Sequence, residues 1–256
     1  MDYNFHTHTY RCGHADGEDE EYVLRAIECG VKHMGFSDHA AFEFPNGHKS
    51  YPVMLESIDE YVGDIKALAE KYSDKIDLIV GFELEYMPSY FEQMLEFLRK
   101  HGAEYLILGQ HFIGDATPNP VGSSTATDSL EALTENADNL CKAISSGVFT
   151  YVAHPDMMKF IGDDKAYCDA VRRICTCSLE KDIPLEINLL GIRTGRFYPN
   201  PRFWQIAGEV GCPVTFGFDA HMPKDAYDGD SLNVAKWLVK RYKLNYIGMP
   251  KIIRLN

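Results

Sequence analysis

No stretch of this chain approaches the roughly 20 consecutive apolar residues that span a bilayer, and no basic segment followed by an apolar run opens it. The expectation is a soluble, cytoplasmic protein without a membrane partner. Positive charge is also scarce: 25 Lys and Arg stand against 38 Asp and Glu, for a formal net charge of −13. Proteins that bind polyanions gain affinity from a basic patch that releases counterions, and no such stripe is present, so nucleic acid is not an expected partner. Paired cysteine spacing is missing too. The seven cysteines are an odd number, scattered as Cys12, Cys29, Cys141, Cys168, Cys175, Cys177 and Cys212 with no C-x-x-C, which excludes a thiolate zinc knuckle and points to buried free thiols. Cys175 and Cys177 fall in an expected helix, where residues two apart do not share a face. Cys12 stands apart only by its address between His8 and His14, where it could be oxidised or bind metal adventitiously; the spacing assigns it no role.

What the chain does have is 45% hydrophobic residues in a length of 256, enough for one domain over residues 1–256 with a large core. Its pattern repeats: a short apolar run, polar punctuation, then a longer helical run. Strands are expected at residues 2–8, 33–37, 76–82, 105–109, 149–153, 184–189 and 213–217, and helices at 18–29, 53–72, 88–101, 130–146, 166–181, 201–211 and 231–242. Polar loops with Gly and Pro breakers fall at 42–51 and 114–127. Seven strands alternating with helices imply a parallel sheet, because parallel neighbours need crossover connections.

The choice between an open sheet and a closed barrel turns on where the histidines lie. His6 and His8 end strand one and, two residues apart on extended backbone, point to one face. His39 follows strand two, Glu83 strand three, His111 strand four, His154 strand five, and Asp219 and His221 strand seven. Strand ends of this kind meet at one mouth in a barrel and are spread along a line in an open sheet. The fold class is therefore α/β, a closed (βα)7 barrel. With His14 from the first loop, seven of the chain's ten histidines converge there, leaving His33, His48 and His101 outside. Such a set exceeds the needs of one four-coordinate ion and suits two or three, with a carboxylate bridging.

The motifs His6-Thr7-His8, Cys12-Gly13-His14, Ser37-Asp38-His39, Gly81-Phe82-Glu83, Gly109-Gln110-His111, His154-Pro155-Asp156 and Gly217-Phe218-Asp219-Ala220-His221 resemble, in order and spacing over residues 3–223, the polymerase and histidinol phosphatase (PHP) superfamily. Glu186-Ile187-Asn188 and Gly191-Ile192-Arg193 are most similar to its monofunctional histidinol-phosphatase branch. The resemblance implies a distorted (βα)7 TIM-like barrel with three divalent ions, and mixed imidazole and carboxylate ligands suit zinc, manganese and iron alike. One ion would be held by His6, His8, Glu83 and Asp219, a second by Glu83, His111 and His154, and a third by His14, His39 and His221. Asp219, His221 and Glu83 would carry the chemistry, with Arg193 binding phosphate, Arg196 as a second candidate and Lys159 matching a family basic residue after strand five. Phe218 stands where the family usually has a small residue and is expected to narrow the mouth. Asp38 and Glu85, beside ligands, are expected to orient them.

Clustered divalent ions acidify water and clamp phosphoryl oxygens, which suits hydrolysis of a small phosphomonoester. L-histidinol phosphate is the leading substrate, selected by the loops 40–51 and 112–127, with Glu43 or Asp115 facing its ammonium group. Another phosphoester or nucleotide, a metal-dependent amidohydrolase, and a non-catalytic metal-binding barrel are the alternatives. No motif encodes oligomeric state or metal identity.

Overall fold

The computed structural model describes residues 1–114 and 121–255. Its central sheet contains β1 (Tyr3–Asn4), β2 (His33–His39), β3 (Asp77–Leu84), β4 (Tyr105–Leu108), β5 (Phe149–Val152), β6 (Leu185–Asn188), β7 (Pro213–Gly217) and β8 (Asn245–Tyr246). They pair in chain order and always in parallel. Around them lie α1 (Asp19–Glu28), α2 (Pro52–Lys71), α3 (Phe91–Lys100), α4 (Leu130–Ser146), α5 (Asp164–Lys181), α6 (Leu189–Arg193), α7 (Pro201–Val210) and α8 (Gly229–Tyr242). Helix starts follow from side chains that take up orphan amide groups: Ser129 before α4, Asp163 before α5, Asn200 before α7 and Asp228 before α8.

The sheet curls until its first and seventh strands meet beyond their regular ends. His8 N donates to Ala220 O at 2.9 Å and Ala220 N to His6 O at 3.1 Å, a parallel bridge centred on Thr7 and Ala220. The segments carrying ligands thus close the barrel mouth. At the other end β8 pairs with β7, and the Tyr3 hydroxyl bonds Thr215 and Tyr246. This two-residue strand is the main departure from the seven-strand expectation, being too short to show a period.

Alternation along β4 divides the interior. Leu106 and Leu108 pack into the main core beneath the helices, whereas Tyr105 and Ile107 turn inward and join Tyr3, Phe5, Tyr151 and Ala153 in a plug below the mouth. The Tyr105 hydroxyl donates to Phe5 O at 3.0 Å and to Phe36 O at 3.2 Å, tying three strands together. Room for that ring comes from Gly35 and Gly81: a Cβ at Gly81 would stand 2.4 Å from both the Tyr105 ring and its carbonyl oxygen.

Two local expectations need correction. The helix expected from Pro88 begins at Phe91, after a turn in which Tyr90 N bonds Met87 O. Gly191-Ile192-Arg193, which none of the expected helices covers, belongs to the short helix α6, whose start is fixed by Asn188 accepting from Gly191 N at 3.1 Å. Each expected loop also holds a small hairpin, Phe42–Glu43 with Lys49–Ser50 and Phe112–Ile113 with Val121–Gly122. Among the described residues no helix is long and apolar enough to cross a membrane.

Because the Tyr105 backbone cannot yield as a flexible side chain would, Gly81→Ala is expected to destabilise the fold by about 1–3 kcal/mol through overpacking. Urea unfolding of the full chain measures this, and an unchanged midpoint would show that the plug is loosely packed.

Candidate metal centre

Apart from His14, which lies in the loop after the first strand, each ligand lies at or just past the end of a strand segment. Glu83 lies on β3 in register with His39 of β2 and Ile107 of β4, and is 2% exposed. Gly109 has to be glycine for that carboxylate to occupy its place, since a Cβ there would lie 2.2 Å from Glu83 Oε1. His154 and Asp219, just past β5 and β7, hold positive φ values of 30° and 49°, a strained backbone for non-glycine residues that aims both side chains into the mouth.

Around Glu83 Oε1 stand His154 Nε2 at 2.8 Å and His6 Nε2 and His111 Nε2 both at 3.7 Å; around Oε2 stand His39 Nδ1 at 3.2 Å and His8 Nε2 at 3.5 Å. Asp219 Oδ1 faces His221 Nδ1 at 3.2 Å, His8 Nε2 at 3.4 Å and His6 Nε2 at 3.6 Å. Yet both Glu83 oxygens, Asp219 Oδ1 and His6 Nε2 are buried without a hydrogen bond of good geometry. Lone pairs gathered on shared points are what cations require and what a hydrogen-bonded core avoids. Donor atoms within 4.8 Å of one another form the groups His6–His8–Asp219, His6–Glu83–His154, His8–His39–Glu83 and His14–His39–His221. The residue types and orphaned atoms fit divalent metal.

The far nitrogens of His6, His8, His14 and His111 are anchored, whereas His154 Nδ1 is buried without a partner. His6 Nδ1 is 2.8 Å from Glu186 Oε1, and the other Glu186 oxygen accepts from His154 N at 3.0 Å and Asn188 Nδ2 at 2.9 Å. Asn188 Nδ2 also reaches Asp219 Oδ2 at 3.0 Å. Glu85 Oε1 holds His111 Nδ1 at 2.6 Å, Asp38 Oδ1 lies 3.4 Å from His8 Nδ1, and the Cys12 carbonyl lies 3.2 Å from His14 Nδ1. Such partners fix ring orientation and raise ligand basicity. Glu186, to which the sequence reading gives no role, braces three strands; a carboxylate inside an otherwise apolar strand was the signal available.

Burial opposes charge on His6, but the carboxylates of Glu186, Asp219 and Glu83 outweigh it and push its pKa up to about 10. His111 rises to about 9, burial again being outweighed by Glu83 and Glu85. Burial also opposes ionisation of Glu83, yet His111, His6 and His154 hold it well below the usual carboxylate range. His39 is driven well below the ordinary imidazole value by burial and by His8. In the metal-free chain, protons thus occupy part of the space that cations would fill.

The mouth opens into a cavity of about 540 Å³ whose lining includes these ligands with Tyr51, Phe112, Ser124, Met157, Arg196 and Tyr198. Tyr51 lies flat on His39, with ring centroids 4.4 Å apart and planes 5° apart. Arg196 Nη1 donates to the Tyr198 hydroxyl at 2.7 Å. Several expected contacts lie elsewhere. Arg193, carried round by α6, donates to the carbonyls of Phe218 and Asp219 at 3.1–3.3 Å and pairs with Asp225 and Asp228, so its guanidinium grips the loop behind Asp219 and does not line the cavity. Lys159 is exposed and lies over the Phe197 ring at 5.6 Å. Phe218 is fully buried against Tyr227 and does not narrow the mouth. Glu43 is an exposed hairpin residue 4.0 Å from Lys49, and Asp115 lies outside the described residues. His33 and His101 pair instead with Asp77 and Asp59, away from the centre.

The family model for the PHP domain matches residues 4–189. A Deinococcus radiodurans protein named probable histidinol-phosphatase is 28% identical over 228 residues, covering 85% of each chain. The histidinol-phosphatase of Lactococcus lactis is 24% identical over 259 residues, covering 94% of this chain and 90% of that one. The crystal structure of histidinol phosphate phosphatase from Lactococcus lactis, complexed with zinc, L-histidinol and phosphate, superposes with a TM-score of 0.70 at 20% identity over 96% of this chain and 95% of that one, which shows a shared fold.

The bracing predicts that Glu186→Gln lowers metal affinity about 10- to 100-fold, measured by competition with a chromophoric chelator. Arg193→Ala should likewise weaken metal retention by freeing the Asp219 loop; retained metal with impaired phosphate binding would return Arg193 to a substrate role. The His6 shift has a signed consequence for the metal-free chain. A folded pKa raised above 6.5 contributes stability that is complete below 6.5 and lost as pH rises through about 10. The melting temperature of chelator-treated protein should therefore fall across that window, while addition of divalent metal, which displaces the protons, should remove the decline and release acid measurable by titration.

Proposed function

The chain belongs to the PHP domain family, and from that premise we propose that it is a metal-dependent phosphatase that hydrolyses L-histidinol phosphate in histidine biosynthesis. The observation that carries this reading is the convergence of orphaned carboxylate and imidazole atoms at the mouth of a cavity that also holds an arginine. The named relatives supply the substrate, and the Lactococcus complex with L-histidinol and phosphate supports it.

Three ions, of zinc, manganese or iron, suit the overlapping donor groups, whose mixed imidazole and carboxylate character accommodates each metal. When bound, they supply Lewis acidity toward phosphoryl oxygens and acidify water to near neutral pH. The chain's own residues do the rest. Glu83 and Asp219 fix the positions of the cations while leaving the mouth open to an anion. Arg196 offers a planar fork of donors matched to phosphate, and the Tyr198 hydroxyl restrains that fork. Asp219 Oδ1 and His221 Nδ1, 3.2 Å apart, form a pair able to hold a proton for the departing alkoxide. Tyr51, Phe112 and Met157 give the cavity an apolar wall suited to a flat heteroaromatic ring.

Elemental analysis of protein purified without chelator, paired with phosphate release from histidinol phosphate and a panel of other phosphomonoesters, tests the reading. About three ions per chain and a strong preference for histidinol phosphate are expected. Activity confined to other esters would keep the mechanism and discard the substrate. Arg196→Ala should raise KM for the phosphoester about tenfold to a hundredfold with metal content unchanged, the loss of a charge-assisted bond to phosphate.

A further inference from the structure

We propose that Cys12 is a thiolate ligand of this metal centre and biases it toward zinc over manganese. The inference rests on the metal-centre reading but not on the choice of substrate.

Cys12 ends the short turn Tyr10–Cys12 and is 8% exposed. Its amide donates to Thr9 O at 3.1 Å and its carbonyl lies against His14 Nδ1, so the backbone that orients one ligand also fixes where the thiol stands. The sulfur lies within 4.8 Å of donor atoms of both His8 and His221, which lie within the same distance of each other. An orphaned carboxylate oxygen faces the two imidazole members of that group. Asp219 Oδ1, on a side chain 3% exposed, has no hydrogen bond although it faces His8 Nε2 at 3.4 Å and His221 Nδ1 at 3.2 Å.

Charge supplies the reason. The group His14, His39 and His221 offers only imidazole donors, whereas each of the three groups without Cys12 that remain contains a carboxylate. His221 belongs both to that all-imidazole group and to the one containing Cys12. A thiol there places an anionic donor beside His221, the residue the two groups share: on coordination the S–H bond breaks, the proton passes to solvent, a sulfur lone pair forms the bond to the cation, and no electrons are transferred. Thiolate is a soft donor that favours zinc, while manganese prefers oxygen ligands. With Cys12 in place, the centre contains one soft position among imidazoles and carboxylates.

The test uses the full chain. Zinc-loaded wild-type protein, measured by X-ray absorption at the zinc edge, should show sulfur at about 2.3 Å as a fraction of the ligand shell. Cobalt(II) reconstitution should give a near-ultraviolet thiolate-to-cobalt charge-transfer band that Cys12→Ser abolishes. The same variant should lower zinc affinity at one site about tenfold or more and leave manganese affinity nearly unchanged. A fully loaded wild-type protein with only nitrogen and oxygen neighbours would overturn the proposal, as would a charge-transfer band that persists in Cys12→Ser. A chain that binds no divalent ion would overturn both this and the metal centre. A sulfur signal in protein inactive on every phosphomonoester would support the thiolate while overturning the proposed function.

Discussion

Two carboxylates buried at the end of a barrel set the terms for the rest of this structure. Glu83 and Asp219 are 2% and 3% exposed and leave three oxygens between them without a hydrogen bond. An ionised carboxylate removed from water costs many kcal/mol unless positive charge meets it. In the metal-free chain that charge comes from imidazolium groups, which is why His6 and His111 are raised while Glu83 and Asp219 are held low. The same arrangement that holds protons at the mouth is one that divalent cations can take over. A hydrophobic replacement would pack more cheaply, so the chain carries a stability cost for keeping the site charged.

The barrel is closed by the peptides that bear the ligands. In His6-Thr7-His8 and Asp219-Ala220-His221, alternation sends the outer residues of each triplet inward while Thr7 and Ala220 face each other in the bridge. Closure and ligand placement are therefore one event: a register slip between these segments would open the sheet and turn the imidazoles away from Asp219. Gly109, Gly81 and Gly35 contribute from the other side by keeping space for Glu83 and Tyr105. Arg193, gripping the Phe218 and Asp219 carbonyls, secures the strained backbone at φ 49°.

Much of this was legible in the sequence for a definite reason. Strand ends in a parallel barrel share one mouth, so the repeated pairing of an apolar run with a histidine or carboxylate encodes a three-dimensional cluster in one dimension. Pro213–Gly217 and Leu130–Ser146 fall where their punctuation places them. What could not be read depends on rotation, which short elements do not advertise. Arg193 and Arg196 are three residues apart in one polar segment, and only the turn of α6 decides that the first faces Asp225 while the second reaches the cavity. Tyr51 is equally hidden: its φ of 44° and its stacking on His39 follow from the hairpin that precedes α2. Phe218 looked like an obstruction because the resembling family usually has a small residue there, yet the alternation that points Asp219 inward sends Phe218 into the core.

The chain's charge of −13 then has a place in the argument instead of standing against a phosphorylated substrate. A basic surface would attract any polyanion, including nucleic acid, and would hold it far from the barrel mouth. Among the described residues Arg196 is the arginine or lysine that lines the cavity, and in the proposed enzyme most of the remaining positive potential would come from ions held by Glu83, Asp219 and the imidazoles. Bound divalent ions are the largest local charges in such a site and dominate the field over a few ångströms, whereas the dispersed surface carboxylates are screened over about 8–10 Å at physiological salt. Attraction for an anion is thereby confined to the place where it can be hydrolysed. A small phosphomonoester bound as proposed would fit inside that range, with its phosphate at the mouth and its organic portion along Tyr51, Phe112 and Met157, while a long polyanion would meet the acidic exterior before its phosphates reached the mouth.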